Sequence, residues 1–297
     1  MENSRMNGAR RGLRLALAVF LAFASAASPA LAEGLFRHVV IVSVDGLRPD
    51  AITSARTPVL AGLMRRGSST LKARTTLPSV TLVSHASMLT GVRPDVHGIT
   101  WNTEDQKGPL KARTIFQLAA RAGLSTAVIA GKQRLKQLIP DTRVTPFLQP
   151  GWTAAPVVKA ASKLFAEKPP ALTLVHLTDP DNNGHKDGWM TPHYFKGVAS
   201  ADRALGQLLT GLDAAGIRQE TLLIVTADHG GKGKSHGPNT PECVLIPWVA
   251  YGSGVRPGYV LKKPVSTCDT AATALWALGL PLPSTFAGKP MTEAFRR

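Results

Sequence analysis

Seven side chains that could bind divalent metal ions or act as a nucleophile lie in four short segments, each of which follows or closely trails an apolar run. Three are aspartates, three are histidines and one is a threonine: Asp45, Thr81, Asp181, His185, Asp228, His229 and His236. Three carboxylates and three imidazoles are enough to hold two borderline-soft divalent cations, and one such cation could ionise the threonine hydroxyl. This inventory predicts a two-metal hydrolase and favours a phosphoric ester as the substrate.

Each of these motifs has a plainer explanation when it is taken alone. In the segment DPDNNGH, Asp181 could cap a turn and His185 could be a surface residue, and the Asn-Asn-Gly sequence predicts a tight loop rather than a regular helix. Asp228 could cap a following helix, and His236 lies in a stretch rich in Gly and Lys. These explanations weaken because all of them would have to hold at once on the same edge of one sheet.

Thr81 is the candidate nucleophile because it begins the segment TLVSHASMLTG, where Leu82, Met88 and Leu89 have the spacing of a buried helical face. Pro78 lies just upstream, as expected before the start of a helix. At a helix N-terminus, backbone N–H groups and the helix dipole favour an alkoxide and a bound anion. A coordinated cation would lower the hydroxyl pKa further, so that no general base is needed. The alternative for this threonine is an ordinary N-cap.

The elements that must position these residues are apolar runs rich in β-branched residues, separated by stretches with helical spacing. The predicted strands are His38–Val44, Ser125–Ala130, Leu172–Leu177, Leu222–Ala227 and Val244–Ala250, and the predicted helices are Thr57–Arg66, Arg113–Ala122, Ala154–Phe165 and Tyr194–Ala214. This alternation predicts an α/β fold with a single doubly wound, mostly parallel sheet and helices on both faces. Ligands bind such sheets beyond the carboxyl ends of the strands, and Asp45, Asp181 and Asp228 each come after a predicted strand.

The first 32 residues have the pattern of a signal peptide rather than of a folded element. A basic segment precedes the apolar run Leu15–Phe23, and Ala30-Leu31-Ala32 has the small residues of a cleavage site. Because the apolar run is short for a membrane span, we expect cleavage and no remaining membrane anchor. Arg10 and Arg11 leave twin-arginine export open as the alternative to the general secretory route. Residues 33–297 are then one metal-dependent phosphoesterase domain, exported to the periplasm or secreted.

Net charge and cysteine content indicate which kinds of ligand and which disulfide bond the protein could have. Removal of residues 1–32 lowers the formal net charge from +16 to +13, since four Arg and Glu2 are lost. A surplus of this size attracts anionic substrates, although an exported protein could be basic for solubility alone. No run of Lys and Arg is interleaved with aromatic residues, so we expect no stable nucleic-acid binding. Cys243 and Cys268, the two cysteines, could pair in an oxidising compartment or remain buried thiols.

Taken together, the four motifs resemble the alkaline phosphatase superfamily. They are VSVDGLRPD, TLVSHASMLTGVRPDVHGITWN, DPDNNGH and TADHGGKGKSHG, and the resemblance covers about residues 38–285. Within the superfamily they are most similar to the nucleotide pyrophosphatase/phosphodiesterase group and its relatives with a Thr nucleophile. The resemblance implies a small phosphate ester or nucleotide as substrate and a phospho-threonine intermediate.

The resemblance also implies roles for individual residues. One zinc ion would be bound by Asp45, Thr81, Asp228 and His229, and a second zinc ion by Asp181, His185 and His236. Asn102, which comes shortly after the His-Gly-Ile segment, would hold a phosphoryl oxygen together with the backbone N–H of Thr81.

The choice between diester and monoester substrates stays open at this point. Lys132 and Arg134 have the residue types that phosphomonoesterases and phosphonate hydrolases of this superfamily place at the phosphoryl group, but they could equally be solvated charges at a helix start. Trp189, Tyr194 and Phe195 could stack on a substrate or only pack in the core. A sulfatase is disfavoured because no Cys/Ser-x-Pro-x-Arg segment lies near the candidate nucleophile. A different class of alternative is a non-catalytic exported zinc-binding protein, although all seven positions are filled.

Overall fold

The computed structural model describes residues 34–53 and 56–296, so the predicted signal peptide lies outside the described residues. The described chain contains one sheet of eight strands: β1 (His38–Val44), β2 (Ser68–Arg74), β3 (Thr126–Ala130), β4 (Phe147–Leu148), β5 (Leu172–Leu177), β6 (Thr221–Thr226), β7 (Leu245–Tyr251) and β8 (Tyr259–Val260). The helices are α1 (Pro58–Arg66), α2 (Thr81–Thr90), α3 (Pro94–His97), α4 (Ile115–Arg121), α5 (Ala154–Glu167), α6 (Asp179–Asp187), α7 (Pro192–Ala214), α8 (Pro241–Val244) and α9 (Thr267–Ala277).

The strands follow the order β4-β3-β5-β1-β6-β7-β2-β8, and the first five of these are parallel. β7 is antiparallel to both of its neighbours, β6 and β2. Helices α1, α5 and α7 contact one another, and α2, α4 and α9 form a second contacting group. The predicted α/β fold with a mostly parallel, doubly wound sheet is therefore confirmed. Within the described residues, none of the helices combines the length and apolarity needed to cross a membrane.

The three central strands owe their position to their apolar sequences. Every residue of β5 and β6, and all but the first of β1, is buried. Strands covered on both faces need apolar side chains at nearly every position rather than at alternate ones. The sequences HVVIVSV, LTLVHL and TLLIVT meet this requirement except at a few Ser, Thr and His positions. Such exceptions near the carboxyl ends of the strands lie next to the candidate site.

The sequence prediction lacks several elements of the structure, namely β2, β4, β8, α3, α6, α8 and α9. Two of these departures have a clear physical reason. Strand β2, with the sequence SSTLKAR, is not among the predicted strands because its composition is polar. It is largely buried because it pairs with β7 and β8. The tight loop predicted at DPDNNGH is wrong, since these residues form helix α6. Pro180 lies in the first turn of α6, where its missing N–H costs nothing. Asp179 and Asp181 in the first turn and His185 and Lys186 in the last turn are placed as the helix dipole favours. Gly184 is needed there because a Cβ would lie 2.6 Å from the Trp189 ring.

The two cysteines are unpaired, and each lies buried in a different helix, Cys243 in α8 and Cys268 in α9. Of the two alternatives left open by the sequence, the structure therefore has the pair of buried thiols.

Helix α1 is anchored to α7 through the carboxylate of Asp202. The backbone N–H groups of Val59 and Leu60, in the first turn of α1, donate to this carboxylate at 3.1 and 2.8 Å. Thr57, the N-cap residue of α1, makes no side-chain hydrogen bond to the helix. A residue remote in sequence, Asp202, therefore accepts the backbone N–H groups that are left without partners at the start of α1.

Asp202→Ala should lower the free energy of unfolding by about 1–2 kcal/mol, because two buried N–H groups lose their acceptor. Asp202→Asn keeps one carbonyl acceptor and should lose less. Urea denaturation monitored by circular dichroism compares the two variants with the wild type. Equal stability of wild type and the alanine variant would show that the N-terminus of α1 does not depend on this contact.

Candidate metal and nucleophile site

The first group of candidate ligands is brought together by two neighbouring parallel strands. Ser43 of β1 pairs with Thr226 of β6, so Asp45 and Asp228, each two residues further on, leave the sheet side by side. His229 follows directly, and one ligand atom from each of Asp45, Asp228 and His229 lies within 4.8 Å of the others. All three side chains are fully buried. We call these three residues the first cluster.

The second group combines helix α6 with the loop after β6. Asp181 and His185 are four residues apart and share one face of α6, and His236 approaches from the loop. His236 Nε2 lies 3.1 Å from His185 Nε2 and 3.8 Å from Asp181 Oδ1. One ligand atom from each again lies within 4.8 Å of the others. These three residues are the second cluster, and the helix that replaces the predicted loop is what aligns the first two.

A glycine links the two clusters. Gly46 has a φ of +71°, which favours glycine, and its N–H donates to Asp228 Oδ1 at 3.1 Å. A Cβ on this residue would lie 3.0 Å from the backbone of Asp181. The turn after β1 therefore has both the conformation and the close approach that place the second cluster against the first.

The three histidines are oriented alike. The Nδ1 atoms of His185, His229 and His236 lie 2.7 to 3.0 Å from the backbone carbonyls of Lys234, Gly230 and Ser79, respectively. Since a carbonyl only accepts, each Nδ1 carries the proton and each Nε2 keeps its lone pair for the cluster. This is the arrangement usual for histidine ligands of metal ions, whose second nitrogen is held by a carbonyl or carboxylate.

In each of the three carboxylates, one oxygen has a hydrogen-bond or ion-pair partner and the other has no hydrogen-bond partner among the described residues. Within the described residues, Asp45 Oδ1, Asp181 Oδ1 and Asp228 Oδ2 are buried and have no hydrogen-bond partner. The other oxygen of each carboxylate is held: Lys132 binds Oδ2 of Asp45 and of Asp181, and the N–H groups of Gly46 and His229 bind Oδ1 of Asp228. Unpartnered buried carboxylate oxygens are costly unless a cation meets them. The donor set and its unsatisfied atoms therefore fit two divalent ions.

The pKa values of the buried groups reflect an excess of negative charge. Burial and the nearby carboxylate of Asp45 raise the pKa of Asp228 to about 7. Burial would also raise the pKa of Asp45, but the charge of Lys132 and the hydrogen bond from His176 outweigh it and hold that pKa well below its usual range. Burial would lower the pKa of Lys132, yet the carboxylates of Asp45 and Asp181 raise it instead.

Thr81 stands beside the first cluster at the start of α2, as predicted. Its Oγ1 lies 3.3 Å from His229 Nε2 and 3.3 Å from Lys132 Nζ, and the residue is buried. Asn102 lies at the same helix end, where its Oδ1 accepts the N–H of Leu82 at 2.9 Å. That bond leaves the amide NH₂ of Asn102 available to donate. The hydroxyl predicted to be the nucleophile, a side-chain donor and a helix N-terminus therefore lie close together.

Lys132 and Arg134 differ in what they contact. Lys132 follows β3 and is buried, and its Nζ lies 2.7 Å from Asp45 Oδ2 and 2.5 Å from Asp181 Oδ2. Arg134 donates to the backbone oxygen of Asn102 at 2.6 Å and to Glu104 at 2.9 Å. In the structure, Lys132 therefore contacts Thr81 and both clusters, whereas Arg134 supports the segment that carries Asn102.

Sequence reasoning missed two histidines behind the first cluster. His176 of β5 lies with its Nε2 2.9 Å from Asp45 Oδ2, and His85 of α2 lies with its Nδ1 2.8 Å from the backbone oxygen of Thr81. A lone histidine inside the apolar strand LTLVHL, five residues before Asp181, was the signal available for the first of them.

The aromatic residues considered for stacking pack in the core instead. Tyr194 is fully buried, and its hydroxyl donates to the backbone oxygen of Gly46 at 3.0 Å. Trp189 donates to the same oxygen at 2.9 Å, and Phe195 is covered by the guanidinium of Arg56. Tyr194 and Trp189 therefore support the turn after β1.

Comparison with known proteins identifies a family. A family model described as type I phosphodiesterase / nucleotide pyrophosphatase matches residues 39–244. Venom phosphodiesterase 2 of Crotalus adamanteus is 26% identical over 226 residues, which cover 65% of this chain and 26% of that protein. The catalytic subunit of human (Homo sapiens) GPI ethanolamine phosphate transferase 2 is 27% identical over 291 residues, which cover 88% of this chain and 29% of that protein. The chain thus spans little more than a quarter of the length of these relatives.

Solved structures share the fold at low sequence identity. An inactive form of murine ectonucleotide pyrophosphatase / phosphodiesterase 5 in complex with AMP has a TM-score of 0.74 and 17% identity, covering 88% of this chain and 100% of that one. A 2-O glycosaminoglycan sulfatase also has a TM-score of 0.74, with 14% identity, covering 88% of this chain and 74% of that one.

His236→Ala should reduce the zinc bound by the metal-stripped and reloaded protein from about two equivalents to about one, because the second cluster keeps only one carboxylate and one imidazole. Inductively coupled plasma mass spectrometry measures this stoichiometry. His38→Ala, at the opposite end of β1, is the matched control and should keep both equivalents. Unchanged stoichiometry in the His236 variant would remove this residue from the ligand set.

Proposed function

Because the chain belongs to the type I phosphodiesterase / nucleotide pyrophosphatase family, we propose that it is a two-metal phosphoric ester hydrolase of that type, with Thr81 as its nucleophile. The observation that carries this proposal is that the buried hydroxyl of Thr81 lies in the same site as three buried carboxylates. Among the described residues, one oxygen of each carboxylate has no hydrogen-bond partner. A small phosphate ester or a nucleotide is the proposed substrate.

Two divalent ions, zinc by the mixture of imidazole and carboxylate donors, would be held by the first cluster with Thr81 and by the second cluster. When bound, they would supply Lewis acidity that lowers the pKa of the Thr81 hydroxyl and offsets charge on the phosphoryl group. The shared orientation of the three histidines and the unpartnered carboxylate oxygens support this assignment.

The residues of the chain then carry a double displacement. Thr81 Oγ1 gives its proton to solvent water and attacks phosphorus, a P–O bond to threonine forms, and the bond to the leaving oxygen breaks. The leaving oxygen takes up a proton from water. A water molecule next attacks the phospho-threonine, the bond to Oγ1 breaks, and the threonine hydroxyl is restored. The amide NH₂ of Asn102 and the backbone N–H of Thr81 hold the phosphoryl oxygens throughout, since both donors lie at the start of α2.

A second candidate function is the hydrolysis of phosphate monoesters or phosphonates. The observation that favours it is Lys132 Nζ, which lies 3.3 Å from Thr81 Oγ1. A monoester has an additional anionic oxygen that a lysine in this position can meet. Arg134 would contribute as a substrate contact only by exchanging its hydrogen bonds to Asn102 and Glu104.

Export is part of the proposal. Residues 1–32 have the pattern of a cleaved signal peptide, which would leave residues 33–297 as the phosphoesterase domain in the periplasm or outside the cell. Some relatives are venom phosphodiesterases and another is an ectonucleotide pyrophosphatase/phosphodiesterase, names that fit an exported enzyme.

Thr81→Ala should lower turnover by at least about a thousandfold, because the attacking oxygen is lost. Zinc content should stay near the wild-type value, since Asp45, Asp228 and His229 remain to hold the ion of the first cluster. Thr81→Ser keeps a hydroxyl and should retain measurable turnover with a phospho-serine intermediate. Acid quenching followed by mass spectrometry detects the phosphorylated residue. An alanine variant with near-normal turnover would reject the assignment of the nucleophile.

Substrate preference separates the candidate functions. With zinc bound, we expect hydrolysis of bis-p-nitrophenyl phosphate to exceed that of p-nitrophenyl phosphate, and a chelator should abolish both. A preference for the monoester would favour the second candidate and a phosphoryl contact for Lys132. Zinc binding without hydrolysis of either ester would indicate a non-catalytic binding protein.

A further inference from the structure

We propose that His176 is a positioning residue for the first cluster: it holds one oxygen of Asp45 so that the other faces a metal ion. This inference rests on the proposed function, since it assigns a role toward the metal ion of that site. His176 would contact neither metal nor substrate and would act through Asp45 alone.

The contact that carries the inference is a buried hydrogen bond between a neutral imidazole and one carboxylate oxygen. Nε2 of His176 lies 2.9 Å from Asp45 Oδ2, and both side chains are fully buried. The other oxygen, Oδ1, has no hydrogen-bond partner and lies 3.4 Å from His229 Nε2 of the first cluster. Lys132 Nζ binds the same Oδ2 atom at 2.7 Å, and the two donors together fix the rotation of the carboxylate and determine which oxygen is presented.

The hydrogen-bond partners of His176 assign its tautomer. In the described structure its Nδ1 is buried without a partner, whereas its Nε2 faces a carboxylate oxygen, which only accepts. The proton therefore belongs on Nε2. The ring is a single donor directed at a single acceptor.

The fold holds the ring of His176 in place. The residue pairs with Ser43 across the parallel strands β1 and β5, two positions before Asp45, so that both side chains lie on the same face of the sheet. The ring of His85 meets it edge to face with centroids 4.9 Å apart. His85 is itself fixed by hydrogen bonds to the backbone oxygen of Thr81 and to Ser43 Oγ. The orientation of Asp45 is thereby tied to the backbone that carries the nucleophile.

His176 contacts a carboxylate of the first cluster, whereas Lys132 contacts one carboxylate of each cluster. Lys132 binds the Oδ2 atoms of Asp45 and Asp181, one carboxylate from each cluster, and it also reaches Thr81. Loss of the lysine would therefore disturb both clusters together. Loss of the His176 donor should weaken the first cluster and leave the second unchanged, and this selectivity distinguishes positioning from a general structural role.

The experiment measures the zinc affinity of each cluster separately. Metal-stripped protein is titrated with zinc against a chromophoric chelator, in a His236→Ala background that isolates the first cluster and in a His229→Ala background that isolates the second. Removal of a side chain that orients a metal ligand typically lowers metal affinity about 10–100-fold. We expect His176→Leu to lower the zinc affinity of the first cluster by about that factor and to leave that of the second within about twofold.

Two further variants test the hydrogen bond itself. The amide NH₂ of His176→Gln can reach the position of Nε2 and should restore most of the affinity, whereas that of His176→Asn is too short and should not. This pair carries the test even if the leucine variant does not fold. Thr173→Val, on the same strand with a buried hydroxyl that has no partner, is the control and should bind zinc as the wild type does.

Equal zinc affinity of the first cluster in wild type and in the leucine and asparagine variants would overturn the inference. An equal loss at both clusters, accompanied by a lower melting temperature, would also overturn it. These results leave the proposed function intact as long as the wild type binds zinc and hydrolyses esters. If the wild type binds no zinc, the proposed function and this inference fail together.

Discussion

The constraint on which the rest of the structure depends is an excess of buried negative charge. Three aspartates, Asp45, Asp181 and Asp228, are essentially inaccessible to solvent at one end of the sheet, and Lys132 is the lysine that compensates them. Carboxylates in such surroundings must bind protons, form ion pairs or bind metal ions. Among the described residues, three of these buried oxygens have no hydrogen-bond partner, so one ammonium does not meet the requirement. Burial and the neighbouring carboxylate of Asp45 accordingly raise the pKa of Asp228. Two divalent cations would meet it, and the same cations would make the hydroxyl of Thr81 a nucleophile.

The strand order of the sheet determines where the three carboxylates lie. Strands β1, β5 and β6 are adjacent and parallel, so the residues that follow them leave the sheet on the same side. Asp45 and Asp228 need only the strand register to meet. Asp181 needs in addition a helix that begins directly after β5 and the glycine at position 46 that lets that helix approach. The site is therefore a consequence of parallel strand order, with local refinements at Gly46 and Gly184.

Much of this arrangement could be predicted from the sequence. The apolar strands, the α/β class and the convergence of the motifs at the carboxyl ends follow from hydrophobic periodicity and the geometry of parallel sheets. The helical state of DPDNNGH was missed because local propensity disfavours it, whereas Pro180 at its start and the fit of Gly184 against Trp189 stabilise it. The contacts of His176 and Lys132 join side chains that are remote in sequence, so no local sequence pattern could predict them. The division of each carboxylate into one held and one unpartnered oxygen was likewise visible only in three dimensions.

The most direct measurement of the central claim is the position of zinc in crystals of the reloaded protein, located by anomalous scattering at the zinc edge. We expect two peaks, one in contact with Asp45 Oδ1, Asp228 Oδ2 and His229 Nε2, and the other with Asp181 Oδ1 and the Nε2 atoms of His185 and His236. A single peak, or zinc bound away from the three unpartnered oxygens, would contradict it.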